Sequence, residues 1–101
     1  MVNENIQILG LENFDEKEKS KIIDSAESYY EKISRNVQGN LVLHAKKHEK
    51  DGNRHMYSFH AKIQLPNNII NVDDTDWILS TALHKVLKKV ENNIAHKFKN
   101  K

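Results

Sequence analysis

The fold is decided by residues 77–101, which read WILSTALHKVLKKVENNIAHKFKNK. Apolar side chains recur here at steps of four, three, four and four residues, at Leu79, Leu83, Val86, Val90 and Ile94. This is the spacing of one buried face of an α-helix. A second stripe, about a third of a turn or more away, consists of Lys85, Lys89, Asn92 and His96. The stretch predicts a helix that packs on a sheet with one side and presents cations to an anionic partner on the neighbouring side.

The N-terminal part of the chain predicts one strand and one further helix. Residues 6–11 suit a short apolar strand, with Gly10 at a position suited to a bulge. Asp15 and Glu18 have the spacing of a capping box and predict the start of the helix. We expect Gly39 to end it, as glycine commonly does. The apolar line of this helix, which leaves Tyr30 to one side, consists of Ile22, Ala26, Tyr29, Ile33 and Val37.

Two runs of alternating polar and apolar residues, 41–48 and 57–65, predict half-buried strands joined as a hairpin. A two-residue turn would bring opposite faces together, which the pleat forbids. The three-residue loop Asp51-Gly52-Asn53 pairs Leu43 with Ala61, and Leu41 with Ile63, on one face. A five-residue loop stays open as an alternative.

A second turn, Pro66-Asn67-Asn68, joins a fourth strand to the hairpin. Because asparagine tolerates a positive φ, a two-residue loop at Asn67-Asn68 is expected to pair Leu65 with Ile70 and Ile63 with Val72. The carboxylates that follow are expected to form an acidic link to the start of the last helix, where the helix dipole favours negative charge. They are Asp73, Asp74 and Asp76.

The predicted order of elements is β-α-β-β-β-α. A right-handed crossover makes the first two strands run in the same direction, and both helices must then cover the single apolar face of the sheet. We therefore predict an α+β protein, a two-layer sandwich of a four-stranded sheet with two helices on one face. The other face is expected to be open and polar, with His44, Lys46, His48, Ser58, His60 and Lys62.

Length and composition narrow the class of protein. A chain of 101 residues forms one domain, residues 1–101, whose basic tail 97–101 is expected to fray. The lack of cysteine excludes disulfides and fits a reducing compartment. The sequence has neither a targeting segment nor an apolar run of membrane-spanning length, so we expect a cytoplasmic protein without a membrane partner. It has no phosphate-cradling glycine loop and no nucleophile motif, so we expect no enzyme, no cofactor and no small-molecule substrate.

Six histidines raise the question of a metal site. In the predicted register His44 and His60 lie directly opposite each other on the open face, with Cβ atoms about 5 Å apart. Two imidazoles make an incomplete zinc site, and no cysteine or well-placed carboxylate completes it. We therefore predict no bound metal and histidines that face solvent or RNA.

The net charge is only +2, but the charges are unevenly distributed. Residues 1–40 have a balance of −3, residues 41–65 of +3, residues 66–76 of −3 and residues 77–101 of +5. The hairpin and the last helix are therefore basic, and the rest of the chain is acidic. This distribution indicates a directional surface for a polyanion.

Two motifs in the second half of the chain point to a family. They are the turn Pro66-Asn67-Asn68 with its acidic link, and Leu79-x-x-Ala82-Leu83-x-x-Val86-Leu87-x-Lys89-Val90-Glu91-x-x-Ile94 in the closing helix. In these residues the chain resembles the short ribosome-hibernation factors, also known as ribosome-associated inhibitors of translation. The strand order and the spacing of the first helix agree as well. Trp77 and Ile78 depart from the pattern, which usually has an Asp-Met-Tyr-like start there.

The resemblance implies a domain that sits in the decoding channel of the small ribosomal subunit, contacts its ribosomal RNA and overlaps the places of messenger and transfer RNA. Translation is thereby blocked and idle ribosomes are protected. It implies RNA contacts from basic residues on both helices, at Lys32, Arg35, Lys85, Lys88, Lys89 and His96. The tip of the basic hairpin is a second candidate patch, with Lys46, Lys47, Lys50 and Arg54, and the end of the last helix adds Lys97 to the expected RNA-binding set. The protein is expected to act as a monomer on the ribosome.

Two other functions stay open. A double-stranded-RNA-binding module has the order α-β-β-β-α, which is nearly contained here. A first strand at residues 5–11 that is paired in the sheet would favour the hibernation factor over that module. The other alternative is a protein-interaction domain that dimerises through the open sheet face.

Overall fold

The computed structural model describes residues 5–35, 39–50, 52, 54–66 and 68–99, with side chains as far as Ile94. Its elements follow the predicted order and confirm the α+β class. They are β1 Ile6–Leu9, a 3-10 turn Leu11–Asn13, α1 Glu16–Ser34, β2 Asn40–Lys50, β3 Arg54–Leu65, β4 Asn68–Asp76 and α2 Leu79–Lys99. The backbone of α2 continues to Lys99, whereas residues 100 and 101 lie outside the described chain, so fraying of 97–101 stays a prediction.

The four strands form one sheet in the order β1-β2-β3-β4. β1 runs parallel to β2, and the other two neighbouring pairs are antiparallel. Alternate strand residues face α1 and α2 and form a single apolar core with them, because successive side chains of a strand point to opposite faces. The largest fully buried side chains of this core are Phe59, Ile22, Leu41, Leu43, Ile63, Leu83, Leu87, Val86 and Val90.

The β2–β3 hairpin has the register that the alternation predicts. Leu43 lies opposite Ala61, Leu41 opposite Ile63, and His44 opposite His60. The ladder closes at Lys50 and Arg54, which leaves three residues for the loop. Of these loop residues, Asp51 and Asn53 lie outside the described part of the chain.

The turn between β3 and β4 differs from the prediction by two residues. Leu65 pairs with Asn68 rather than with Ile70. The loop therefore consists of positions 66 and 67, where the fixed φ of Pro66 suits the first central position of a turn. Asn67, which the prediction places in the loop, lies outside the described residues. Because the shift is an even number, Ile70 and Val72 stay on the helix-facing side.

The predicted acidic link is in fact the second half of β4. Asp73, Asp74 and Asp76 are paired with residues 57–60 of β3. β3 begins at Arg54 and therefore offers backbone partners to the whole acidic segment. The alternation of the strand then places Asp74 and Asp76 on the helix-facing side and Asp73 on the open face.

α1 begins at the predicted capping box, but it ends at Ser34 rather than at Gly39. Val37, which was expected to continue its apolar line, lies outside the described residues. Gly39 lies directly before β2, and a Cβ atom there would stand 2.9 Å from the carbonyl oxygen of Gln64. Glycine is therefore needed at this position for the close approach of two strands, not to end the helix.

Tyr30, not Tyr29, belongs to the buried line of α1. The Tyr30 side chain is 4% exposed, and its hydroxyl donates a hydrogen bond to the carbonyl oxygen of Gly39 at 2.5 Å. Tyr29 is only partly buried, with its hydroxyl 3.1 Å from Nδ1 of His84. Both tyrosines follow Ala26 at a helical step, of three or four residues, so spacing alone did not separate them.

Gly10 lies after β1 rather than inside it, so the predicted bulge is wrong. Its φ of 83° is in the left-handed region, and it precedes the 3-10 turn. A Cβ atom here would meet the carbonyl oxygen of Ala45 on β2. Glycine is needed because the chain must turn sharply against the neighbouring strand.

Candidate nucleic-acid interface

Two lysines of the predicted basic stripe on α2 are engaged within the molecule. Nζ of Lys85 lies 3.2 Å from a carboxylate oxygen of Asp74 and 3.0 Å from one of Asp76. Nζ of Lys89 lies 3.1 Å from the other oxygen of Asp74 and donates a hydrogen bond to the carbonyl oxygen of Asp73 at 2.8 Å. The second half of β4 thus supplies carboxylates to the helix that packs beside it. The positive charges of both lysines are offset in the free protein.

The pKa values of this cluster show how firmly its charges are held. The backbone N–H of Thr75 and the two lysines lower the pKa of Asp74. The ammonium of Lys85 lowers the pKa of Asp76, and hydrogen bonds to Asp76 and Asp74 raise the pKa of Lys85. Asp74, Asp76 and Lys85 therefore stay ionised near neutral pH. The lysine side chains are still 41% and 50% exposed, and exposed ion pairs are weak enough for a phosphate to compete for the ammonium groups.

Lys32 and Lys88 are brought together from different helices by one carboxylate. Glu91 lies 3.2 Å from Nζ of Lys32 on α1 and 3.7 Å from Nζ of Lys88 on α2. Lys32 is the main cause of the lowered pKa of Glu91. Two ammonium groups share one carboxylate, so a positive charge remains. Arg35 follows α1 and is exposed, without an ion pair among the residues that the structure describes.

Lys47 lies on the helix-facing side of the hairpin and is largely buried. Its Nζ is 2.9 Å from Glu18, whose other carboxylate oxygen accepts a hydrogen bond from the Tyr57 hydroxyl at 3.0 Å. Partial burial raises the pKa of Glu18, but the Asp15 N–H, Lys47 and Tyr57 together outweigh it and lower this pKa. The hydrogen bond to Glu18 raises the pKa of Lys47. These contacts connect the start of α1 to the hairpin. Lys47 therefore stabilises the fold, whether or not it also contacts RNA.

The open sheet face carries cations that have no carboxylate partner among the described residues. Lys46, Lys50 and Lys62 make no ion pair within the described ranges of the chain. The guanidinium of Arg54 lies over the ring of Trp77, 4.1 Å from its centroid. The described strand residues of this face include a single carboxylate, that of Asp73, opposite His60. A shallow groove there is lined in part by His44, Lys46, His48, Ser58, His60, Asp73 and Thr75.

The structure therefore divides five of the predicted site residues into two groups. Lys32, Arg35 and Lys88 lie at the helix side, and Lys46 and Arg54 lie on the open face. His96 and Lys97 belong to α2, but their side chains lie outside the described residues, so their roles stay predictions. Lys62 was not predicted as a site residue, although strand alternation already placed it on the open face.

Within the ranges that the structure describes, no group of three histidine or carboxylate side chains gathers closely enough to hold a metal ion. None of the described helices has the length and hydropathy needed to cross a membrane.

Comparison with solved structures shows that other proteins share the fold of this chain. No protein-family model and no curated protein matches this chain. The N-terminal domain of Protein Y from Thermus thermophilus matches 94% of this chain and 98% of its own, with 16% identity and a TM-score of 0.63. A ribosomal subunit interface protein from Coxiella burnetii matches 95% of this chain and 98% of its own, with 20% identity and a TM-score of 0.56. At these identities the likeness establishes the fold.

Proposed function

We propose that this chain belongs to the ribosome-hibernation factors and binds the small ribosomal subunit, where it contacts ribosomal RNA and blocks the channel of messenger and transfer RNA. The observation that carries the proposal is the shared fold, over 95% of the chain, with a protein described as a ribosomal subunit interface protein. The motifs in the closing helix and the turn before β4 point to the same family. Such a factor acts in the cytoplasm.

The first strand supports this function over a double-stranded-RNA-binding module. β1 pairs in parallel with β2, from Ile6 opposite Leu41 to Leu9 opposite His44. That module begins with a helix and has no such strand. The pairing favours the β-α-β-β-β-α arrangement that the resemblance implies.

Charge supports RNA as the partner. Contacts between ammonium or guanidinium groups and phosphates release counterions from RNA, which supplies most of the affinity of such complexes. Lys46 and Arg54 on the open face, and Lys32, Arg35 and Lys88 on the helix side, have charge available for these contacts. Lys85 and Lys89 take part by exchanging the carboxylates of β4 for phosphates.

The same charges argue against dimerisation through the open sheet face. Leu9 and Ile69 are 40% and 50% exposed there, at the two edges of the sheet. Between them, however, lie lysines and histidines. In a twofold dimer the same basic surface of both copies would be brought together, and like charges brought together destabilise an interface.

The function needs no chemistry, because occupation of the channel is enough to exclude messenger and transfer RNA. Its test is co-sedimentation of the full chain with ribosomal subunits at low and at high salt. We expect binding to the small subunit that falls steeply as salt increases. Equal recovery with both subunits, or no recovery at low salt, would overturn the proposal.

A further inference from the structure

Trp77 lies between β4 and α2 and stays 41% exposed. It is followed by Ile78, which is 60% exposed. The large side chains of the core are almost completely buried by comparison, with Phe59 at 1%. The indole therefore contributes little to the core.

One cation stacks on this indole, and a second lies one strand further away. The guanidinium of Arg54 stacks over the ring at 4.1 Å, and Lys50 lies directly across the hairpin from Arg54. The nearest carboxylate in sequence, that of Asp76, is paired with Lys85 and so does not oppose an anion at Trp77. An exposed aromatic ring beside cations is the arrangement on which unpaired RNA bases stack, with their phosphates on the neighbouring charges.

We propose that Trp77 and Arg54 form a stacking platform for an unpaired RNA base, with Lys50 contacting the adjacent phosphate. The inference rests on the proposed function, which supplies ribosomal RNA as the partner. The cation–π contact between Arg54 and Trp77 holds both side chains in place before binding, so that less conformational freedom is lost when a base arrives. Charge favours RNA over protein, because the side chain that stacks on the ring is cationic and its neighbour across the hairpin is Lys50.

The fluorescence of the protein reports directly on this platform, because Trp77 is the only tryptophan of the chain. The full chain is titrated with single-stranded octaadenylate and with an abasic ribose-phosphate octamer of equal charge, with anisotropy of labelled oligomers to measure binding. We expect octaadenylate to quench the emission and to bind about tenfold more tightly than the abasic octamer, as stacking of one base on an aromatic ring predicts. Unchanged emission at saturating octaadenylate would overturn the proposal.

Two variants separate stacking from apolar contact. Trp77→Leu should lower the affinity for octaadenylate about tenfold, to that of the abasic octamer, whereas Trp77→Phe should retain most of it. Circular dichroism and the thermal midpoint establish that both variants are folded, as the exposure of Trp77 leads us to expect. Equal affinity of the leucine variant and the unaltered chain would contradict the platform.

Ribosome sedimentation distinguishes this inference from the proposed function. If the unaltered chain and Trp77→Leu co-sediment equally, the platform is wrong and the ribosomal function stands. If octaadenylate quenches Trp77 but the chain does not sediment with ribosomes, the platform stands and the ribosomal function is wrong. If Trp77→Leu loses ribosome binding while no RNA quenches the emission, Trp77 contacts a protein, and the stacking proposal is overturned.

Discussion

Nζ of Lys85 lies 3.0 Å from a carboxylate oxygen of Asp76, so a residue of the predicted RNA-binding stripe is held in an ion pair inside the molecule. Lys89 is held in the same way by Asp74. The positive charge on this side of α2 is therefore offset by carboxylates in the free protein. To contact these lysines, the phosphates of RNA must compete with the carboxylates of β4.

Removing one carboxylate should release this charge. Asp74→Asn leaves an amide oxygen for the Thr75 N–H but frees the ammonium groups of Lys85 and Lys89 from its negative charge. We expect tighter ribosome association and a steeper dependence on salt, by about 0.7–0.9 in log K against log salt for each lysine released. Asp24→Asn, an equal charge change on an exposed position of α1, is the control. Tighter binding of both variants to the same extent would attribute the effect to net charge alone.

The open face should contribute directly to affinity. Lys46→Gln combined with Lys62→Gln removes two charges that have no ion-pair partner in the described chain. We expect weaker co-sedimentation with the small subunit and a salt slope reduced by roughly one to two. Lys17→Gln with Lys21→Gln on α1 removes equal charge and should change binding little. If the control pair weakens binding as much as the open-face pair, that face is not the interface.

The ion pair at the start of α1 makes stability depend on pH. The pKa of Glu18 is lower in the folded protein than its ordinary value of 4.5, so its stabilisation is complete above that value and is lost as pH falls through the folded pKa. Glu18→Gln should cost about 1–2 kcal/mol near neutral pH, because it removes a charge-assisted hydrogen bond to Lys47. Urea unfolding of both proteins from pH 3 to 7 measures the difference, which should shrink below about pH 4.5. A difference that stays constant with pH would contradict the role given to Glu18.

The two tyrosines of α1 should respond differently to loss of their hydroxyl groups. Tyr30→Phe leaves the carbonyl oxygen of Gly39 without its part-buried donor and should cost about 1 kcal/mol of unfolding free energy. Tyr29→Phe removes only an exposed contact with His84 and should be nearly neutral. Urea unfolding of the matched pair tests the assignment, and the reverse order of effects would refute it.

Much of the fold followed from periodicity. The apolar line of α2 was predictable from its helical repeat. The pairing of Leu43 with Ala61 was predictable because a register slip by one residue exposes a whole face of the strand. The extension of β4 through Asp76 was not, because its polar sequence resembles a link and its strand structure depends on partners in β3. Contacts with the rest of the fold likewise determine that Tyr30, rather than Tyr29, is the buried tyrosine.

The candidate site was harder to predict than the fold. A helical wheel shows where Lys85 and Lys89 point, but it cannot show that Asp74 will lie beside them. That depends on how β4 packs against α2. The exposure of Trp77 could not be predicted either, because it also depends on packing. A single indole at the start of a helix usually packs inward.

The most direct measurement is electron cryo-microscopy of ribosomes mixed with a stoichiometric excess of the full chain at low salt. Our account predicts density for one copy of the two-layer fold in the channel of messenger and transfer RNA on the small subunit, with Lys46, Arg54 and Lys88 against ribosomal RNA. Density elsewhere on the ribosome, or an empty channel at full excess of the protein, would contradict it.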